Sequence, residues 1–159
     1  MSRAKSIQVP ASTTNLGAGF DVLGLALQLY LRVDLQETSR LVPEFQLQGE
    51  GAQDLPASEE NLLWRVVRRV FDGEKQPIPG VCFKIENQIP LARGLGSSAA
   101  AIVAGISCFE ALTGRELPPD RFFQYAFEFE NHPDNITAAR FGGFTVSAVT
   151  ENGKVTFFR

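Results

Sequence analysis

Apolar residues alternate with polar ones along several stretches of the chain, and helical spacing appears in three others. Ile7 and Val9 open a short strand that Pro10 is expected to stop. From Leu25 through Leu35 every odd position is apolar (Leu25, Leu27, Leu29, Leu31, Val33, Leu35), while Gln28, Arg32 and Asp34 fall between them. This period of two predicts a long strand with one wet face. Glu44 to Leu47 is a weaker strand, and Val81, Phe83 and Ile85 alternate with Cys82, Lys84 and Glu86 in another. Asn61 is placed to cap a helix whose stripe is Leu62, Leu63, Val66, Val67, Val70 and Phe71, closed by Asp72-Gly73. A second helix runs from about Ser97 to Leu112 and ends at Gly114. A third begins after Pro118-Pro119-Asp120, turns Phe122, Phe123, Ala126 and Phe127 inward, and extends to about Glu130, where Pro133 forces its end. Gly142-Gly143 breaks into a strand from Phe144 to Val149, and Asn152-Gly153 signals a hairpin before Val155 to Phe158. Alternating strands mixed with a few helices predict an α+β layer in preference to a doubly wound parallel sheet.

Composition narrows what such a layer can do. With 159 residues, 44% of them hydrophobic, the chain can bury one core without disulfides. Fifteen Lys plus Arg against 18 Asp plus Glu leave a net charge of −3, so no basic surplus attracts nucleic acid or an anionic membrane. Cys82 and Cys108 show no metal-ligand spacing and read as buried thiols, which suits the cytoplasm. No stretch approaches the roughly 20 apolar residues of a membrane helix, and no signal-peptide run opens the chain. The chain stops at Arg159 in what reads as a strand, so a shortened chain or an isolated domain is expected.

The densest chemistry lies in Pro90-Leu91-Ala92-Arg93-Gly94-Leu95-Gly96-Ser97-Ser98-Ala99-Ala100-Ala101. Gly94 and Gly96 let backbone N–H groups approach an anion, Ser97 and Ser98 add hydroxyls, and the Ala-rich run starts a helix whose positive end faces the same point. A Walker A loop would need Gly-Lys-Ser/Thr, which the chain lacks. The dinucleotide fingerprint is met by Gly94-x-Gly96-x-x-Ala99. However, the preceding strand alternates, Pro90 interrupts the entry, and Leu117-Pro118-Pro119 stands where an acidic residue is expected. By itself a Gly-x-Gly-Ser turn is also compatible with an ordinary capped strand-to-helix connection.

Taken whole, this run resembles the ATP-binding motif of the GHMP kinases, the family of galactokinase, homoserine kinase and mevalonate kinase. Val9-Pro10-Ala11-Ser12-Thr13-Thr14-Asn15-Leu16-Gly17-Ala18-Gly19-Phe20-Asp21-Val22-Leu23-Gly24 resembles the opening motif of the homoserine-phosphorylating branch. Asn131-His132-Pro133-Asp134-Asn135 with Phe141-Gly142-Gly143-Phe144 resembles its substrate segment. The resemblance implies the N-terminal domain of that family, a ribosomal protein S5 domain 2-like fold spanning residues 1–159, with a C-terminal domain absent from this chain. It implies ATP and Mg²⁺ as cofactors and transfer of phosphate to the hydroxyl of L-homoserine, on the route to threonine; a homodimer is compatible with it.

By the same resemblance Gly94 to Ser98 hold the phosphates, and Ser98 also assists Mg²⁺. Asn15, Asp21 and His132 contact the amino acid, and Asn135 lies near the reacting hydroxyl. Glu128 supplies the Mg²⁺ carboxylate, with Glu130 as its competitor. No motif-matched Asp and Lys pair offers a base, so direct attack by the substrate hydroxyl is expected. Another alcohol substrate, or a silent nucleotide- or amino-acid-binding domain, stays open. So do the plain readings: Asx turns for Asn15 and Asp21, helix-stop chemistry for the His132 segment, and solvated positions for Glu128 and Glu130.

Overall fold

The computed structural model describes residues 5–14, 16–19, 21–40 and 42–159. Its elements are β1 (Lys5–Thr13), β2 (Leu23–Glu37), β3 (Glu44–Gly49), α1 (Leu62–Gly73), β4 (Val81–Asn87), α2 (Ser97–Thr113), α3 (Pro119–Ala126), α4 (Pro133–Phe141), β5 (Phe144–Val149) and β6 (Val155–Phe158). The sheet has six strands in the order β3-β4-β2-β5-β6, with β1 also on β2. Among the described residues only β3 and β4 pair in parallel; the other pairs are antiparallel, and the fold is the expected α+β type. Because β1 takes one edge of β2, β4 and β5 share the other edge, β4 at Leu31–Glu37 and β5 at Leu23–Leu25.

β2 does not behave as one alternating strand. Pairing with β1 steps from Pro10 opposite Tyr30 to Ala11 opposite Leu27, leaving Gln28 and Leu29 unmatched. Beyond the irregularity Leu31, Val33 and Leu35 are buried in the core. Before it, Gly24 faces Asp134, Ala138 and Thr145, while Leu23 and Leu25 pair with the exposed Val146 and Phe144. A bulge exchanges which parity faces the helices, so the odd-numbered stripe is split between two faces. Pro10 likewise does not stop β1, which continues through Thr13. On a strand paired along one edge only, a missing N–H next to a bulge removes no ladder bond that the sheet needs. The strand therefore runs past its expected stop through Ala11, Ser12 and Thr13.

α2 is the central helix. Ala99, Ala100, Ile102, Val103, Ala104, Ile106, Cys108 and Phe109 are all buried, so it is apolar on every side. α1 lies against it at Gly105, where a Cβ would come within 2.7 Å of Val66, and Phe71 meets Phe109 edge-on at 5.0 Å. Asn61 caps α1 as expected: its Oδ1 accepts from Leu63 N at 3.0 Å. Gly73 has a different job from the turn assigned to it. The left-handed residue after α1 is Lys75, and a Cβ on Gly73 would overlap the Tyr125 hydroxyl. That buried hydroxyl donates to Glu74 Oε1 at 2.9 Å and accepts from Arg121 at 2.7 Å, tying the end of α1 to α3. The Arg121 guanidinium, ahead of the Tyr125 hydroxyl, holds the Glu74 carboxyl below its ordinary range. Both cysteines are buried, and burial pushes the thiol pKa of each up.

The segment after α3 departs most from expectation. α3 ends at Ala126, and Pro133 starts a further helix, α4, instead of ending one. Proline is suited to the first helical position because its missing N–H would have no intrahelical partner there. α4 packs its Ile136, Ala138 and Ala139 inward, and β5 beneath it is inverted, with Thr145 and Ser147 buried and Phe144 and Val146 exposed. Among the described residues no helix is long and apolar enough to cross a membrane.

Candidate functional site

The segment from β4 to α2 is anchored before it becomes a loop. Asn87, itself buried, accepts from Ile89 N at 3.0 Å and donates to Ile89 O at 3.1 Å and Glu50 O at 3.0 Å. Beyond Pro90 and Leu91 the backbone turns left-handed at every second residue, with φ 54° at Ala92, 68° at Gly94 and 66° at Gly96. Alternation of this kind points successive N–H groups into one concavity, a nest that favours anions. Ala92 carries a left-handed conformation that costs a non-glycine residue about 1–2 kcal/mol, and nothing in the residue types signalled it.

Gly96 is the N-cap of α2 and brings no side chain to the helix start. The first helical N–H groups are therefore left for a ligand, in line with the loop's concavity. Ser98 is exposed there, and Ala99 and Ala100 are buried behind it. Arg93 and Gly94 are on the outside of the loop, where no atom lies within 4 Å of a Cβ built on Gly94. Leu95 faces inward enough to join the core, and its carbonyl accepts from Ser12 N at 3.1 Å.

The floor of the loop is polar and buried. Ser12, fully inaccessible on β1, donates its hydroxyl to Asn135 Oδ1 at 2.9 Å. A Cβ on Gly96 would overlap that hydroxyl and come within 3.0 Å of Asn135 Oδ1. Asn135 Nδ2 donates to Thr14 Oγ1 at 3.2 Å, and Asn135 N donates to Asp134 Oδ1 at 2.7 Å. Asp134 is 2% exposed; burial raises its carboxyl pKa, against the lowering effect of the Asn135 N–H and the neighbouring Thr14 hydroxyl. Asp21, at φ 58°, lies with its Oδ1 3.4 Å from His132 Nδ1, both side chains about half exposed.

One end of the sheet thus gathers Gly94 to Ser98, Asn135, Asp21 and His132. Asn15 lies outside the described residues. Glu128, expected at the metal, is placed elsewhere: Arg69 of α1 grips its carboxylate with two bonds of 2.6 and 2.7 Å, and it borders a groove with Asp120, Phe123 and the β5–β6 turn. The helix carrying it ends early, at Ala126, which turns this carboxylate toward α1. Glu130 accepts from Asn131 N at 2.9 Å and stands two residues before His132. Among the described residues no group of three or more His, Cys, Asp or Glu is placed to hold a metal. The buried Ser12 and Asp134 and the half-buried Thr14 were missed as site residues. Ser12 lies on β1 and Thr14 just past its end, and neither carries a local signal of the site.

Comparison with known proteins matches the same elements. The family described as GHMP kinases N terminal domain matches residues 61–143, a little over half of the chain. A homoserine kinase of Caldanaerobacter subterraneus is 43% identical over 153 residues, covering 96% of this chain and 48% of that protein. One of Clavibacter michiganensis is 43% identical over 155 residues, covering 95% of this chain and 48% of its own. Among solved structures, a putative homoserine kinase from Listeria monocytogenes superposes with a TM-score of 0.81 at 34% identity, over 97% of this chain and 53% of that one. The chain spans about half the length of the curated relatives it matches.

Proposed function

We infer that this chain, which belongs to the GHMP kinases, is the nucleotide-binding N-terminal part of an ATP-dependent homoserine kinase. The observation that carries the reading is the left-handed loop from Ala92 to Gly96, whose floor is the Asn135 of the His132–Asn135 segment. Phosphate cradle and substrate wall are one hydrogen-bonded unit. Identity of 43% to homoserine kinases across nearly the whole chain supports that alcohol over others.

The residues fit a nucleotide phosphate, since the nest is concave and Gly94 leaves its mouth open. The N–H groups of Gly94 to Ser98 and the Ser97 and Ser98 hydroxyls would hold the β- and γ-phosphates, with Pro90 to Arg93 and Leu95 shaping the loop. Ser98 and one glutamate would also hold Mg²⁺, a donor set that suits a cation bound by one or two carboxylates plus substrate phosphates. Bound there, Mg²⁺ supplies charge neutralisation at the phosphates. Because Arg69 occupies Glu128, Glu130 is the carboxylate we assign. Asp21 and Asn15 would take the ammonium end of homoserine with His132 beside them, and Asn135 would orient its hydroxyl.

That hydroxyl oxygen bonds to the γ-phosphorus as the bond from phosphorus to the ADP oxygen breaks, and its proton passes to a phosphate oxygen. A loose transition state asks for alignment and charge neutralisation more than for a strong base. Glu130→Gln is expected to weaken Mg-ATP binding, read by calorimetry. Glu128→Gln is expected to leave it unchanged and to cost about 0–1 kcal/mol of stability, as partly exposed ion pairs do. The reverse order would return the metal to Glu128.

Calorimetry with Mg-ATP, followed by phosphorus NMR of the mixture with L-homoserine or mevalonate, tests the function. O-phosphohomoserine as product supports it; phosphorylated mevalonate, or no heat with Mg-ATP, overturns it. The chain's span of about half its relatives supports a second reading, a domain that binds both ligands without transfer. Heat with both ligands and no phosphorylated product is its signature.

A further inference from the structure

We propose that Ser12 is a positioning residue that couples the two halves of the site: filling the glycine loop fixes Asn135, and nucleotide and alcohol bind more tightly together than apart. The identity of the two ligands rests on the function proposed above; the link through Ser12 rests on contacts within the chain itself.

Ser12 meets both halves at once. Its backbone N–H donates to Leu95 O at 3.1 Å, and its hydroxyl donates to Asn135 Oδ1 at 2.9 Å. The same residue walls off Gly96, where a Cβ would overlap the Ser12 hydroxyl and come within 3.0 Å of the Ser12 carbonyl oxygen. With no exposed surface, Ser12 touches neither ligand and acts only through these neighbours. Asn135, by contrast, is only half-buried. Among the described residues its carboxamide has one other partner, the Thr14 hydroxyl at 3.2 Å, at the long end of the hydrogen-bond range.

A serine hydroxyl turns about a single bond, and its direction is set by what surrounds it. With the Gly96 backbone against it, Oγ is confined to the position from which it reaches Asn135. Where that backbone moves off, Oγ gains room to rotate away, and Asn135 loses the shorter of its two side-chain bonds. Phosphate binding draws on the N–H groups of Gly94 to Ser98, so it fixes the backbone that confines Oγ. The entropy of ordering Asn135 is then lost as the nucleotide binds, and an alcohol arriving afterwards does not lose it a second time. Coupling of this kind is reciprocal, so the alcohol strengthens nucleotide binding by the same factor.

Calorimetry with L-homoserine, without and with saturating Mg-ADP, reads the coupling. ADP lacks the γ-phosphate, which keeps direct contact between the two ligands out of the factor. Homoserine is expected to bind about fivefold or more tightly with Mg-ADP present, and in Ser12→Ala this ratio is expected to fall toward one. A loss of stability in the variant would not by itself move that ratio. Nitrogen relaxation of the Asn135 side-chain NH₂ gives a readout that needs no alcohol: its order is expected to rise when Mg-ADP is added to the wild type and to stay unchanged in Ser12→Ala. Independent binding in the wild type, or an Asn135 order that ignores Mg-ADP, overturns the proposal without any variant having to fold, and so does a ratio that survives in Ser12→Ala. Heat from Mg-ADP with the Asn135 response, but none from homoserine, sinks the substrate reading and leaves the link through Ser12 standing. Absence of heat from Mg-ADP removes both.

Discussion

Gly96→Ala is expected to cost the protein about 2–5 kcal/mol, whereas Gly94→Ala costs only about 1–2 kcal/mol. Both glycines are left-handed, at φ 66° and 68°, so each substitution incurs the same backbone penalty. They differ in surroundings. A Cβ at Gly94 meets nothing within 4 Å, while one at Gly96 overlaps the Ser12 hydroxyl and crowds Asn135. Ser12 cannot step aside, because its N–H is bonded to Leu95 O and it has no exposed surface into which to rotate. The loop would therefore separate from β1, and the Asn135 network with it. Urea or guanidinium unfolding of the two variants checks this through their midpoints at unchanged slope. Equal losses would mean that the floor of the loop yields readily and that the packing account is wrong.

Asp134→Asn should move stability the opposite way, raising it at pH 7 by on the order of 0.5–2 kcal/mol, a common scale for removing a functional group that strains the fold. Burial raises the Asp134 carboxyl pKa, so the folded state takes up a proton more readily than the unfolded chain. Wild-type stability therefore gains from this group as pH falls through its folded pKa toward the ordinary carboxylate range, and loses that gain as pH rises. The advantage of the asparagine variant is thus largest near neutrality and shrinks in acid. Thermal unfolding of both proteins at pH 7 and near pH 4 measures it; a difference that grows on acidification would contradict a pKa raised by burial. A carboxylate kept at a cost to stability points to service in the site, where its Oδ1 holds the Asn135 N–H.

The parts of this protein legible from sequence are those whose causes are local. A stripe at helical spacing behind Asn61 is sufficient for α1, and an Ala-rich run between Gly96 and Gly114 is sufficient for α2. The glycine loop is recognisable because its glycines, serines and helix start are contiguous, and the structure adds only that Ala92 shares the left-handed conformation. Pro133 shows where local reasoning misleads. Proline both ends and begins helices, and what chooses between them is the packing of Ile136, Ala138 and Ala139, which lies downstream of it.

By itself, then, the order of residues determined the α+β composition, the presence of a glycine loop opening α2, and the resemblance that the family match bears out. Only the tertiary structure decided which face of β2 each half presents, that Glu128 belongs to Arg69, and that Ser12 and Asn135 meet beneath Gly96. The reason is distance along the chain. Ser12 and Asn135 are 123 residues apart, and neither carries any sign of the other until β1 and α4 are packed side by side. A hydroxyl on a strand and an amide near a helix start are each ordinary surface chemistry, and burial against one another makes them a single oriented unit.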